Sequence, residues 1–371
     1  MKRLIYIWMV LMALLLEGCE RRPLMELNNS FYVRVYVDEN LKNVTDGFYS
    51  DTHRKPVYER PEILRLVLAD PITGESRAER FLRNRAEDER GLYYDGYIVA
   101  NPGTYVMMAY NFDTELTMIL KANNCLDAKA YTNEIASHIR SRIPSRSRNQ
   151  QSGENQNAGA GKGASEKIVY EPDHLFVANC GEVEVPFIEE MDTLTTLDGD
   201  YFTATSIVKS YYLQVKVKGM KYATSSVGLL TGLSGSSWMD GGKMDVDDDV
   251  TVYFEMLPDE NASAGLVNAE KEDDSSILYV TFNTFGKIPG AVSDLEITFD
   301  FLTVYGEPYS KTLTITDVFR SQEALENQWL LLDKYFDFII EIPEPPVKPD
   351  SGGGFSPEVD EWGDVDVDIE V

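Results

Sequence analysis

Phe31, Val33, Val35 and Val37 alternate with Tyr32, Arg34 and Tyr36, the two-residue period of a strand with one buried face. The same pattern runs through Glu62 to Leu68, stopped by Asp70-Pro71, and through Tyr105 to Tyr110 after the turn Asn101-Pro102-Gly103-Thr104. Further strands are predicted at Glu115 to Leu120, Leu175 to Ala178 and Glu182 to Pro186. Short helices are expected around Arg77 to Arg85 and over Ala128 to Arg142. A second set of strands opens after about Asp192. It comprises Tyr211 to Gly219, Ala223 to Gly235, Val250 to Leu257, Ile277 to Phe285, Leu295 to Tyr305 and Ser310 to Thr316. A helical segment at Ser321 to Leu331 and a strand at Phe336 to Ile342 complete it. Gly, Pro, Asn and Asp between the runs favour hairpins over β-α-β crossovers. The pattern predicts an all-β chain of two tandem antiparallel β-sandwich domains, 19–190 and 191–342, with few helices.

Two stretches break this pattern. From Ser145 to Lys167 no apolar residue exceeds alanine in size, so 144–167 is expected to be a disordered loop. The segment 343–371 is an extended tail. Pro343 to Pro349 make a stiff spacer, Gly352, Gly353 and Gly354 a flexible hinge, and Asp364 to Val371 alternate acid with apolar residue. Val365, Val367, Ile369 and Val371 then share one face, an apolar row that needs a sheet edge to accept it. The edge belongs to this molecule or to another.

The N-terminus fixes the compartment. Lys2 and Arg3 precede an apolar run of 13 residues, Leu4 to Leu16, too short to span a bilayer. Leu16-Glu17-Gly18-Cys19 resembles a bacterial lipobox, with Glu17 the unusual occupant of its slot. The resemblance implies removal of signal peptide 1–18 and acylation (palmitate) of Cys19, giving an exported protein anchored by lipid.

A net charge of −28 argues against nucleic acid as a partner, because phosphate binding needs clustered Lys and Arg. The remaining cysteines, Cys125 and Cys180, are either bridged or small buried residues. His53, His138 and His174 lie far apart without metal-ligand spacing, and no nucleophile elbow or phosphate loop occurs, so neither an enzyme, a cofactor nor a metal site is expected. Asp245-Val246-Asp247-Asp248-Asp249 lacks the glycine and terminal glutamate of a calcium loop and is taken as a solvated turn. Trp238 sits in a Ser/Gly loop where it could stack a sugar or cap a core.

The lipobox, the two all-β halves, Tyr211 to Gly219 leading to Leu229-Leu230-Thr231-Gly232-Leu233-Ser234, and the tail Trp362 to Val371 together resemble one group of proteins. These are the fimbrillin-associated anchor and minor-subunit lipoproteins of Bacteroidales type V pili, with related lipoproteins of unassigned function. The resemblance implies transthyretin-like sandwiches, a cell-surface place on the outer membrane held by lipid through Cys19, and a fimbrial subunit as protein partner. It also implies donor-strand exchange, with Val365, Val367, Ile369 and Val371 as donor residues and Gly352 to Gly354 as hinge. Eight residues at ~3.3 Å each reach about 26 Å, enough for a sheet edge. The alternative is a glycan-binding surface lipoprotein, working through Trp238, whose tail folds back as its own edge strand.

Overall fold

The computed structural model describes residues 30–39, 60–147, 166–186, 193–256, 265–270, 275–288, 294–332 and 339–346. Its first strands are β1 (Ser30–Val37), β2 (Leu64–Ala69), β3 (Ser76–Leu82), β4 (Asn84–Asp88), β5 (Gly91–Val99) and β6 (Gly103–Asn111). Then follow β7 (Thr117–Leu120), β8 (Lys129–Thr132), β9 (Ile168–Tyr170), β10 (Phe176–Val185), β11 (Thr193–Leu194) and β12 (Phe202–Ser206). The later strands begin with β13 (Lys209–Lys218), β14 (Ala223–Ser234), β15 (Ser236–Trp238), β16 (Asp249–Glu255) and β17 (Gly265–Glu270). The last are β18 (Ser275–Thr284), β19 (Glu296–Thr303), β20 (Pro308–Thr314), β21 (Trp329–Leu331) and β22 (Ile339–Glu341). The all-β class expected from the period is the class observed.

The first sheet runs β3-β2-β6-β10-β12-β1-β5-β4, with β11 also paired to β1. It encloses one core, to which both of its halves contribute: Phe31, Val33 and Val35 of β1, Leu64 and Leu66 of β2, Tyr94 of β5, Phe176 of β10 and Phe202 of β12. The outer face of β2, β6 and β10 is apolar too, and Val67, Met108, Tyr110 and Val177 pack there against Cys125, Ala130 and Met239. Ala130 and the strand before Met239 belong to a three-stranded sheet, β15-β8-β7. β2 is therefore buried on both faces, which is why its sequence, Leu-Arg-Leu-Val-Leu-Ala, shows no polar alternation. Its one charge, Arg65, is held by Glu79 at 2.6 Å and by the Tyr110 hydroxyl at 2.8 Å.

The later strands make a two-layer sandwich. One sheet is β17-β18-β13 with β21 and β22 both on the far edge of β13; the other is β20-β19-β14-β16-β9. Leu213, Val215, Val280 and Phe282 from the first layer meet Leu230, Val252, Phe254, Phe299 and Phe301 from the second. The rings of Phe254 and Phe282 stack across the layers at 4.7 Å.

Four expectations are corrected. The segment Ser321 to Leu331 is helical only over Gln322–Asn327, because Trp329–Leu331 is claimed as β21 by parallel pairing with β13. Arg77 to Arg85 is not a helix: β3 and β4 occupy it, because pairing with β2 and β5 outweighs the helix preference of Arg, Glu and Ala. Ala128 to Arg142 holds only the single turn Ser137–Arg140, since Lys129–Thr132 is claimed as a strand between β7 and β15. Leu175 to Ala178 and Glu182 to Pro186 are one strand, β10, interrupted by a bulge between Asn179 and Glu182. Strand pairing also crosses residue 190 in both directions. β11 and β12 join β1 in the first sheet, whereas β9 lies parallel to β16 in the sandwich. Most of the expected loop, 148–165, lies outside the described residues, but its two ends are placed. Ser145 donates to Asp300 at 2.6 Å, and Lys167 pairs with Asp248 at 2.7 Å.

Candidate functional site

The tail leaves the sandwich at a defined point. β13 pairs along its whole length with β18, and its other edge is shared by β21 opposite Tyr212 to Gln214 and β22 opposite Lys216 to Lys218, both parallel. Leu330, Ile340 and Ile342 sink into the core from this split strand. Ile342 donates its N–H to the Lys218 carbonyl at 3.0 Å, and the Tyr305 hydroxyl donates to the Pro343 carbonyl at 3.0 Å. Gly219, at φ +78°, lets the chain pass this closely: a Cβ there would lie 2.6 Å from the Ile342 carbonyl oxygen. Beyond it Pro343 to Pro346 are exposed. The hinge Gly352 to Gly354 and the alternating residues Val365, Val367, Ile369 and Val371 lie outside the described residues, as does Cys19.

β1 sits in the middle of the first sheet. It pairs antiparallel with β5 over seven residues and parallel with β11 and β12 on its other side. Val33 and Val35 are fully buried. A strand so placed cannot leave without opening a groove along the domain.

The Ser/Gly loop places Trp238 at the end of β15, 38% exposed, with its backbone N–H bonded to the Lys243 carbonyl at 2.8 Å. The Lys129 ammonium lies 5.4 Å from its ring centroid and also pairs with Asp245. One ring face is therefore occupied by a cation, and the neighbouring Met239 is buried in the core. The Lys129 contact holds the Asp245 carboxyl below its ordinary range. Asp248 is tied to Lys167 and to the Ser236 hydroxyl at 2.7 Å. The acidic turn is thus cross-linked to lysines rather than open, and the described residues contain no cluster able to hold a metal ion.

The other singled-out residues are structural. His174 lies between the hydroxyls of Ser206 at 3.0 Å and Ser210 at 2.9 Å, and burial pushes its pKa down to about 4. His138 is exposed on the single helical turn, and His53 lies outside the described residues. Cys125 is a buried free thiol, pushed up to about 11 by burial.

Sequence reasoning missed one constellation. The outward row of β1, Tyr32, Arg34 and Tyr36, meets Tyr93 and Tyr97 of β5 and Tyr201. The Arg34 guanidinium stands 4.0 Å from the Tyr93 ring centroid and 3.2 Å from Asp88. The signal was present in the alternation itself, where large aromatics fill the face a plain solvent-exposed strand would give to small polar residues.

Residues 54–255, more than half the chain, match the family described as Domain of unknown function (DUF5119). The chain belongs to that family. Over 97% of its length, and 96% of the relative's, it is 25% identical to a Bacteroides ovatus protein named as a candidate fimbrium anchoring subunit, Fim4B. A crystal structure of a candidate adhesin from Bacteroides ovatus shares its fold, with a TM-score of 0.50 at 22% identity, covering 89% of this chain and 99% of that one. The fimbrial anchor protein Mfa2 of Porphyromonas gingivalis superposes more loosely, with a TM-score of 0.39 at 13% identity over 79% of this chain and 85% of its own. This DUF5119 chain is therefore similar along almost its whole length to a Bacteroides protein named for a fimbrium.

Proposed function

We propose that this protein is a lipid-anchored structural subunit of a surface fimbria, an anchor or minor subunit that engages the next subunit by donating its C-terminal strand. The observation that carries the reading is the fixed exit at Ile342 and Pro343, from which a Pro-rich spacer, a glycine hinge and an apolar alternation follow in sequence. A strand freed from its own sandwich by such a tether has main-chain groups and a row of valines to offer a partner's groove. Whole-length similarity to a protein named as a fimbrium anchoring subunit supports the anchor role. The central position of β1 supports it too, because a subunit that keeps β1 keeps its own groove filled and can end a fibre without accepting a strand. Lipid on Cys19 would hold that end to the outer membrane, and no catalytic role is assigned.

Deleting Asp364 to Val371 tests this. The expected result is loss of SDS-resistant assemblies and of pili retained on cells, with the melting of the purified protein unchanged. A truncated protein that assembles normally but melts at lower temperature would make the tail an intramolecular edge strand and favour the glycan-binding alternative.

A further inference from the structure

We infer that one end of the first sheet, formed by the β2–β3 and β5–β6 turns, is a membrane-resting surface that the lipid at Cys19 brings against the bilayer; this rests on the lipid-anchored reading above. Ser30 opens β1 opposite Val99, the last residue of β5, so the chain arriving from Cys19 enters the fold at the β5–β6 end. The 11 peptide steps from Cys19 to Ser30 span at most about 40 Å when fully extended, and this end of the sheet is the one nearest the lipid along the chain.

The two turns at this end are adjacent, since Asp70, Pro71 and Arg77 line one cleft of about 450 Å³ with Val99, Ala100, Asn101 and Gly103. Exposed apolar side chains stand at and beside these turns, whose tips also carry the uncharged polar residues Thr73 and Asn101. Ile72 is 88% exposed, Val99 69% and Tyr97 60%, with Tyr97 edge-on to Tyr32 at 5.6 Å. In a chain with 62 acidic residues, neither Pro71 to Gly74 nor Ile98 to Thr104 carries a charge. Asp70, at the base of the first turn, is neutralised locally: it accepts the N–H groups of Ile72 and Thr73 at 3.0 Å and pairs with the exposed Arg77. Glu75 and Glu184 stand just behind the tips, at the level of a headgroup layer. The opposite end of the same sheet differs in charge, because its β4–β5 turn is Asp88-Glu89-Arg90, although Phe112 and Phe81 are also exposed there.

Uncharged turns tipped by aliphatic side chains, with tyrosine just behind, match the chemistry of the bilayer interface. The net charge of −28 selects the lipid: zwitterionic headgroups accept this surface, whereas anionic ones repel the molecule.

The test uses the full chain from Cys19 onward with Cys125→Ala and Cys180→Ser, coupled through the one remaining thiol, Cys19, to maleimide lipid in phosphatidylcholine vesicles with brominated acyl chains. Tryptophan is introduced singly as Ile72→Trp, Val99→Trp or Glu89→Trp, all at exposed positions. The added fluorescence of Ile72→Trp and Val99→Trp should be quenched several-fold more than that of Glu89→Trp. Equal quenching at the three positions overturns the inference. Because the coupling is chemical, the outcome does not depend on acylation in cells. Mass spectrometry of the Cys19 peptide from the native membrane tests acylation separately; its absence would remove the lipid-anchor reading and leave the quenching result to stand.

Discussion

Glu171 and His174 lie three residues apart, on the segment that enters β10, and burial shifts them in opposite senses. The Glu171 carboxyl accepts the Asn283 N–H at 2.9 Å, yet desolvation, aided by Asp173 and Glu255, pushes its pKa up to about 7. Its contribution to stability is full below about 4.5, the ordinary glutamate value, and is lost as pH rises through 7. His174 is depressed to about 4, so its contribution is present above 6.5 and is lost as pH falls through 4. Between these limits the two slopes oppose each other. Denaturation measured against pH should therefore separate them by substitution. Relative to the parent, Glu171→Gln should gain stability progressively from pH 4.5 to 7, and a His174→Gln variant should gain from pH 6.5 down to 4. Parallel pH curves for parent and variants would mean that both groups are solvated.

At the scale of elements, the two-residue period located β13, β14, β16, β18, β19 and β20 of the sandwich but missed the short β9, the hairpin strand β17 and β21, which fell in an expected helix. It failed where a strand is buried weakly or held only by its ladder. β3 and β4 expose most of their side chains and show an Arg/Glu pattern that suits a helix, so nothing short of their partners identifies them. β12 is five residues long and joins the first sheet across residue 190, a pairing that no local pattern can announce. The site was legible unevenly. The tail alternation and the lipobox are local signals, but the point at which the tail is fastened depends on Gly219 meeting Ile342, far away along the chain. Replacing Gly219 by alanine adds a left-handed penalty and a contact with the Ile342 carbonyl, together on the order of 2 kcal/mol. The expected outcome is a lower denaturation midpoint, with faster amide exchange over Ile339 to Ile342 in particular. Exchange that accelerates equally in all strands would mean that β22 is not fastened separately.

At the scale of the whole molecule, the fold distributes three tasks to three places. The N-terminal strand closes the first sheet from within and the sandwich fixes the chain at Ile342 and Pro343; on the proposed reading, the turn end beside β1 faces the anchoring lipid and the terminal strand goes to a partner. The aromatic face around Arg34, on the outer side of β1, is knitted into its own hydrogen bonds and ring contacts. The central claim is that the terminal strand acts in trans. A photo-crosslinking residue in place of Val367, activated on cells that carry the pilus, tests it most directly. The account predicts an adduct that joins this chain to a second polypeptide, with the second subunit's peptides recovered by mass spectrometry. Adducts confined to this chain's own strands would contradict it.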